Sequence, residues 1–213
     1  GIPYVFGLPG HAILDIVDAM YDRSDVRFIG VRHEQAAALM ADGYARATGD
    51  PSVCLASVGP GSVNLTTGVA QAWMAHAPVV ALAGGVFEEV SDRDAFQELD
   101  LVSMFRPITK HAMQLRKADR IPEMLRHAFR IATSGKKGPV YLEFPSNLLR
   151  DHTFDVNLIP PNNYRVVESR QAGDQKSIDS AARLLSQAKR PTVIAGGGVI
   201  WSKATNEIVK LAD

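Results

Sequence analysis

The sequence predicts an α/β protein: a parallel sheet with helices on both faces, followed by the start of a second, Rossmann-like α/β domain. Three observations carry this. Short apolar runs rich in β-branched residues alternate with longer amphipathic runs. The short runs are almost continuously hydrophobic, as strands buried on both faces are, rather than alternating as half-exposed strands do. Beyond Asp151 the periodic pattern lapses, and a new helix–strand–glycine series then begins.

Taken in order, the expected strands are Tyr4 to Phe6, Arg27 to Val31, Ser52 to Ala56, Val79 to Ala83 and Val140 to Phe144. The expected helices are Ala12 to Tyr21, Glu34 to Thr48, Val63 to Ala75 and Arg120 to Ser134. In the last of these Ile121, Met124, Leu125, Ala128, Phe129 and Ala132 share one face at helical spacing. Ile108 to Leu115 reads as a further strand that brings Lys110 and His111 near the sheet edge. This first domain is expected over residues 1–155 and a linker over 156–176, where Pro160-Pro161-Asn162-Asn163 and isolated charges lie. The truncated second domain spans 177–213, with a helix from Ile178 to Ala188, a strand Pro191 to Ala195 and a tight turn at Gly196-Gly197-Gly198. The chain opens at a strand and stops within a helical pattern, which reads as a piece of a longer protein.

Composition excludes several classes. Lys plus Arg and Asp plus Glu are both 23, so no bulk charge recruits nucleic acid or an anionic membrane. No apolar stretch is long enough to span a bilayer, and no signal peptide is present. The single cysteine, Cys54, has no partner for an internal disulfide and sits in an apolar run, as a small core residue does; a cytoplasmic setting is expected.

The candidate chemistry sits at the ends of the strands. Glu34 follows the second strand and opens an Ala-rich helix, the carboxyl-edge position where open α/β sheets place ligand-binding groups. A carboxyl group there is partly desolvated and close to a helix N-terminus, the setting of a positioned proton-exchanging group. On position alone, a first-turn Glu that merely satisfies its own helix is an equal account. Gly7-Leu8-Pro9-Gly10-His11 follows the first strand; its glycines let a ligand approach the backbone, or simply make a turn. His11 is an acid–base group or only the first residue of a helix. Gly59-Pro60-Gly61-Ser62-Val63-Asn64 exposes backbone N–H groups at a helix start, yet is neither a Walker loop nor Gly-x-Gly-x-x-Gly. Asp94-Ala95-Phe96-Gln97-Glu98 lies in a long segment, where function or mobility is usual. The glycines at 196–198 hold a pyrophosphate or make a plain turn.

These pieces occur in one order, and in that order the chain resembles thiamine diphosphate-dependent enzymes of the acetolactate synthase-like family. The matching segments are Tyr-Val-Phe-Gly-Leu-Pro-Gly at 4–10, Arg-His-Glu-Gln-Ala-Ala at 32–37 and Ala-Asp-Gly-Tyr-Ala-Arg-Ala-Thr-Gly at 41–49. They continue with Gly-Pro-Gly-Ser-Val-Asn at 59–64, Asp-Ala-Phe-Gln-Glu at 94–98, Arg-Pro-Ile-Thr-Lys-His at 106–111 and Gly-Pro-Val-Tyr-Leu-Glu-Phe-Pro at 138–145. The resemblance covers essentially the whole chain, and the motifs are specific jointly rather than singly.

The resemblance implies a thiamine diphosphate-binding fold in which this first domain takes the aminopyrimidine of the cofactor. It implies a central domain that binds FAD or an ADP-like group in some members. It also implies a third domain holding the diphosphate through Mg2+; the Gly-Asp-Gly of that domain is not found here, since Gly173-Asp174 is followed by Gln175. No metal ligand is therefore expected in this stretch. In the family the Glu matching Glu34 hydrogen-bonds a ring nitrogen of the cofactor, and its exchangeable proton lets the cofactor's own amino group act as a base. Gly7, Pro9 and Gly10 are implied near the reacting end of the cofactor, and Pro60 and Asn64 near its pyrimidine. Phe96 and Gln97 face the substrate, and Lys110 lies near the entrance. The implied partner is a second copy, in a homodimer or homotetramer, and the implied substrate a small 2-oxo acid or aldehyde.

Three departures loosen the substrate assignment. His11 stands where acetolactate synthases have Gly, and benzaldehyde lyase-like enzymes carry a His there; Gly85 replaces a usual Gln and Val58 a common Ser. The expected reaction is decarboxylation or cleavage of a 2-oxo or 2-hydroxy compound, with transfer of the acyl unit to a second carbonyl. A benzaldehyde lyase-like or 2-hydroxyacyl-CoA lyase-like carbon–carbon lyase is the alternative. A non-catalytic cofactor-binding or regulatory module is a reading of another class, against which Glu34 argues. An NAD-binding Rossmann protein is disfavoured by the missing Gly-x-Gly-x-x-Gly after the first strand.

Overall fold

A computed structural model describes residues 2–150, 158–160 and 172–212. The chain divides into two compact units, Gly1–Arg165 and Val166–Asp213. The first holds a six-stranded, wholly parallel sheet: β1 (Tyr4–Gly7), β2 (Arg27–Gly30), β3 (Ser52–Ala56), β4 (Val79–Gly85), β5 (His111–Gln114) and β6 (Val140–Pro145). Its strand order is β2-β1-β3-β4-β6-β5.

Registered neighbours place Val53, Val80 and Val140 in one row and Leu55, Leu82 and Leu142 near it, all on one face. Against this face pack Ile13 and the helices α1 (Leu14–Asp18), α6 (Ile121–Thr133) and α7 (Ser146–Arg150). The opposite face carries Ser52, Cys54 and Tyr141. Here α2 (Glu34–Thr48) anchors through its Ala41 carbonyl, which accepts from the Ser52 hydroxyl at 2.7 Å. The short helix α5 (Leu101–Phe105) stacks Phe105 on Tyr141, with ring centroids 4.0 Å apart and planes 4° from parallel. Cys54 is fully enclosed in this layer and burial pushes its thiol up to about 12, so it is an inert core residue.

The helix α2 is drawn close to the sheet by small residues. Its buried face is Ala37, Ala38, Ala41 and Ala45, with Glu34 and Asp42 at the same inner surface. The helix α4 (Thr66–Ala75) comes equally close because Gly68 has no side chain; a Cβ there would stand 2.4 Å from that of Ala38. Gly49 ends α2 in the left-handed region at φ 79, where a glycine C-cap carries no steric cost.

Several boundaries differ from those expected. The helix expected over Ala12 to Tyr21 is a 3-10 turn, His11–Ile13, followed by the five-residue α1. The helix expected from Val63 starts earlier, as α3 (Pro60–Val63), because a proline suits the first helical position. It then breaks before α4, where the Thr66 hydroxyl takes the Val63 carbonyl at 2.7 Å. The segment expected as a strand near 108–115 is β5, an edge strand registered on β6.

In the second unit α8 (Gln175–Gln187), α9 (Gly197–Trp201) and α10 (Thr205–Ala212) form, with Gly196 as the N-cap of α9. The strand expected over Pro191 to Ala195 does not form. A strand needs a neighbour for its hydrogen-bond ladder, and no described residue of this unit supplies one. The expected linker lies mostly outside the described residues. Among the described residues, no helix is long and apolar enough to cross a membrane.

Candidate active site

The strand order reverses direction beside β1: β2 lies on one side and β3 on the other. In open α/β sheets the carboxyl-end crevice at such a reversal is where ligands bind. The turns after these three strands supply Gly7 to His11, Glu34, and Gly59 to Asn64.

Glu34 opens α2 and is only 8% exposed. Its helix terminus is satisfied by another residue: His33, extended at φ −157, is the N-cap, and its Nδ1 accepts from the Gln35 N–H at 3.2 Å. Glu34 turns inward instead. Its Oε2 accepts from Asn64 Nδ2 at 3.0 Å, across thirty positions of sequence. Its Oε1 accepts no hydrogen bond from the described residues and faces Gly61, where a Cβ would come to 3.1 Å. The carboxyl group therefore presents one open acceptor beside a bare backbone.

Ser57 joins the neighbouring turns. A Cβ on Gly10 would stand 2.4 Å from that of Ser57, and one on Gly61 would lie 3.6 Å from it. The β1 turn and the α3 turn thus pack against the same residue. Gly7 has a structural reason of its own: a Cβ there would meet the Leu55 carbonyl at 2.7 Å and the Phe28 ring at 2.9 Å. Pro9 is exposed in that turn, and Pro60 is exposed at the first position of α3.

A cleft of about 210 Å³ lies along the same edge, lined by His11, Val58, Gly85, Phe87 and Phe96 among others. His11 begins the 3-10 turn but is not its N-cap; Gly10 is, and no side chain caps it. His11 is thus the first residue of that turn and also a wall of the cleft. Phe96 stands 82% exposed at the cleft, and Gln97 bears on Gly59, whose Cβ would lie 2.3 Å from the Gln97 carbonyl oxygen. The long segment after β4 is thereby seated over the α3 turn.

Lys110 is the one expected site residue that the structure does not bring here. It immediately precedes β5, at the amino edge of the parallel sheet, opposite the turns described above. Its ammonium donates to the Ile131 carbonyl and, at 2.7 Å, to the Ser134 carbonyl, closing the last turn of α6. Desolvation holds its pKa below the usual lysine value. It lines a separate cleft of about 140 Å³ with Trp73, His76, Lys136 and Lys137. The expectation of Lys110 at the substrate pocket is corrected to a helix-closing role within this chain.

Glu143, not singled out from the sequence, is a second buried acid on this sheet. It is 5% exposed near the end of β6; Gln114 Nε2 donates to Oε1 at 2.9 Å and the Tyr141 hydroxyl to Oε2 at 3.4 Å. Burial raises its pKa above the usual carboxylate range. The available signal was a charged residue inside an otherwise apolar strand. Asp42 is likewise buried, with its pKa raised by desolvation and pulled back by Arg46 at 3.4 Å. Among the described residues no group of three or more His, Cys, Asp or Glu is placed to hold a metal ion.

Comparison with known proteins decides the family. The family model "Thiamine pyrophosphate enzyme, N-terminal TPP binding domain" matches residues 1–104, and "Thiamine pyrophosphate enzyme, central domain" matches 178–213. The chain belongs to the thiamine diphosphate-dependent, acetolactate synthase-like enzymes. Similar relatives include a probable acetolactate synthase large subunit of Methanocaldococcus jannaschii, 44% identical over 100% of this chain and 36% of the relative. The acetolactate synthase large subunit of Buchnera aphidicola is 42% identical over 98% of this chain and 37% of its own length. That of Haemophilus influenzae is 39% identical over 100% of this chain and 37% of its own. The chain thus spans little more than a third of the length of these relatives. The matched ranges fall on the sheet unit through α5 and on the unit holding α8, α9 and α10.

Proposed function

We propose that this chain is the pyrimidine-binding part, with the start of the central domain, of an enzyme that decarboxylates or cleaves a 2-oxo or 2-hydroxy compound. The acyl unit is then transferred to a second carbonyl, as the names of the relatives indicate for acetolactate formation. The domain division proposed is 1–155, 156–176 and 177–213. The observation that carries the reading is the Glu34 carboxyl: buried, oriented by Asn64 on one oxygen and open on the other toward Gly61.

This setting fits a protonated heteroaromatic nitrogen. Oε1 offers an unmet acceptor, and the missing side chain at Gly61 leaves room for a flat ring edge. When bound, thiamine diphosphate supplies an acidic carbon whose conjugate base attacks carbonyl groups, and the protein's contribution is to position and desolvate it. Glu34 holds the exchangeable proton at the ring nitrogen. Asn64 fixes the carboxyl rotamer by donating to the opposite oxygen. Gly7, Pro9, Gly10, Pro60 and Gly61, on the turns beside Glu34, would hold the cofactor's ring. His11, Val58, Phe96 and Gln97 bound the space for the substrate.

Mg2+ and the diphosphate would be held by a part of the protein outside this chain, supplied in a homodimer or homotetramer by a second subunit. FAD or an ADP-like group would fall to the central domain. The substrate is a small 2-oxo acid or aldehyde, the setting cytoplasmic, and neither nucleic acid nor membrane takes part. The lyase reading is kept because His11 walls the cleft. Product analysis of the full-length enzyme with pyruvate, benzaldehyde and 2-hydroxyacyl thioesters tests it. Acetolactate from pyruvate supports the transferase; cleavage of 2-hydroxy ketones or thioesters alone supports the lyase; neither overturns both.

A further inference from the structure

The segment between β4 and α5 contains three non-glycine residues in the left-handed region: Asp92 at φ 62, Asp94 at φ 54 and Gln97 at φ 65. Each such residue costs on the order of 1 kcal/mol or more, and the two aspartates tolerate it better than the glutamine. A backbone of this kind persists only where something over-determines it. One side chain does so here. Glu98 Oε1 accepts from the Asp92 N–H at 2.6 Å and from the Ser91 hydroxyl at 3.3 Å. Its Oε2 accepts from the Ala95 N–H at 3.0 Å, and its own N–H donates back to the Ala95 carbonyl at 2.9 Å. The two backbone donors hold the Glu98 carboxyl below its usual range, so it is the ionised form that gathers the loop.

The loop so gathered presents Phe96 as an exposed wall of the cleft that also holds His11 and Val58. It sets Gln97 against Gly59, at φ 58, the residue before the α3 turn that delivers Asn64 to Glu34. Glu98 itself does not line the cleft.

We propose that Glu98 is a positioning residue: its carboxylate fastens residues 91–98 in the geometry that places Ala95 and Phe96 at the cleft and Gln97 against Gly59, and so governs which substrate is held. This rests on the cleft being the substrate site of the proposed enzyme. A purely local role in turn formation would leave substrate binding unmoved, so the two accounts separate by experiment.

The test uses the full-length holoenzyme and the variants Glu98→Ala and Glu98→Gln, followed by hydrogen exchange with mass spectrometry and by steady-state kinetics with pyruvate. Glu98→Ala is expected to lose about tenfold or more of the exchange protection in the peptide covering 91–98, while a peptide covering β3 keeps its own. The KM for pyruvate is expected to rise about tenfold, with exchange of the cofactor's thiazolium proton within about twofold of wild type. Glu98→Gln keeps one acceptor oxygen and is expected to recover part of both losses. If Glu98→Ala also unprotects β3, the fold has failed and Glu98→Gln alone carries the comparison. Unchanged protection of 91–98 overturns the fastening. Lost protection with an unchanged KM overturns the link to substrate. A wild-type enzyme inert toward every carbonyl substrate overturns the functional reading and the specificity role with it, while the exchange data still decide the fastening.

Discussion

Glu34 and Glu143 are both buried carboxyl groups, 8% and 5% exposed, near the carboxyl edge of one sheet. Their surroundings differ. Glu143 stands on a strand, with donors at both oxygens from Gln114 and Tyr141, and Gly85 closes over it so tightly that a Cβ there would lie 2.7 Å from Oε1. Burial then pushes Glu143 up, and with it the Tyr141 hydroxyl, through desolvation and the nearby carboxyl. Glu34 stands on a helix turn, with one side-chain donor, and its other oxygen faces the bare backbone of Gly61. Burial alone therefore does not mark a site. The acceptors of Glu143 are met within the fold, whereas Glu34 keeps an unmet acceptor beside a bare backbone, the feature on which its proposed role rests.

The largest expected effect follows from this contrast. Glu34→Gln in the full-length enzyme keeps the shape and the Asn64 contact but removes the exchangeable acid proton, and exchange of the thiazolium proton is expected to slow about a hundredfold or more. Glu143→Gln is expected to leave that rate within about twofold, because its contacts are with Gln114, Tyr141 and Gly85 rather than with Glu34, Asn64 or Gly61; the amide keeps one accepted bond, and its NH2 can donate to the Tyr141 hydroxyl. NMR of the bound cofactor's proton exchange measures both. Equal losses in the two variants would erase the distinction between the acids.

Adding the same methyl group beside each acid sharpens it further. Gly85→Ala drives a Cβ into Glu143, itself held by Gln114 and Tyr141, and is expected to destabilise the protein by about 1–3 kcal/mol in urea unfolding. Gly61→Ala meets Glu34 Oε1 at 3.1 Å, which a small shift relieves, so stability is expected to change little. Thiamine diphosphate affinity, read by calorimetry on the full-length enzyme, is expected to fall about tenfold as the ring's place is taken. The opposite pattern, lost stability at Gly61 and lost affinity at Gly85, would reverse the assignment of the two acids.

Much of this was legible in the residues. The parallel sheet followed from the unbroken apolar strands: Ser52–Ala56 and Glu34–Thr48 have the bounds that composition and periodicity set. The position of Glu34 at a strand end was equally readable. Its pairing with Asn64 was not, because a contact across thirty positions depends on how β1 and β3 adjoin, which no local pattern records. The place of Lys110 was misjudged for a related reason. The resemblance implies Lys110 near the entrance, whereas it precedes β5 and sits at the amino edge, where the carbonyls of α6 claim it. The Pro191 strand failed because strand propensity counts only when a partner strand is present.

A third expectation concerns pH. The folded pKa of Glu143 is raised, so between its unfolded value and that raised value the folded state binds more protons than the unfolded one. Stability from this group is fully present below the unfolded value, about 4.3, and is lost as pH rises through the folded value. Glutamine does not titrate. The stability of Glu143→Gln relative to wild type is therefore expected to improve steadily as urea unfolding is repeated from acid to mildly alkaline pH. Asp42 has the same sign, and Asp100, whose pKa is lowered and whose charge bears on Glu143, the opposite. Both remain in the two proteins being compared, so the difference reads Glu143 together with its coupling to Asp100. A flat difference across this range would show that Glu143 is not held neutral and would weaken the view of it as a merely structural acid.

The smallest expected effect lies at the rim. His11 neither caps its helix nor approaches Glu34 through any hydrogen bond of the described residues; it walls the cleft opposite a loop that carries Phe96. Its imidazole occupies space that glycine would leave open, and its ring nitrogens can donate to or accept from a bound group. His11→Gly is thus expected to alter the choice of second carbonyl, raising the share of a bulkier acceptor by about threefold to tenfold, the scale of a few lost contacts. Exchange of the thiazolium proton should remain as in wild type, because the Glu34, Asn64 and Gly61 arrangement is untouched. Competition between pyruvate and benzaldehyde as acceptors, with products separated by chromatography, gives the ratio directly. If the ratio stays constant while all rates fall together, His11 supports the cleft without selecting its occupant, and the contrast between a cofactor-facing acid and a substrate-facing imidazole does not hold.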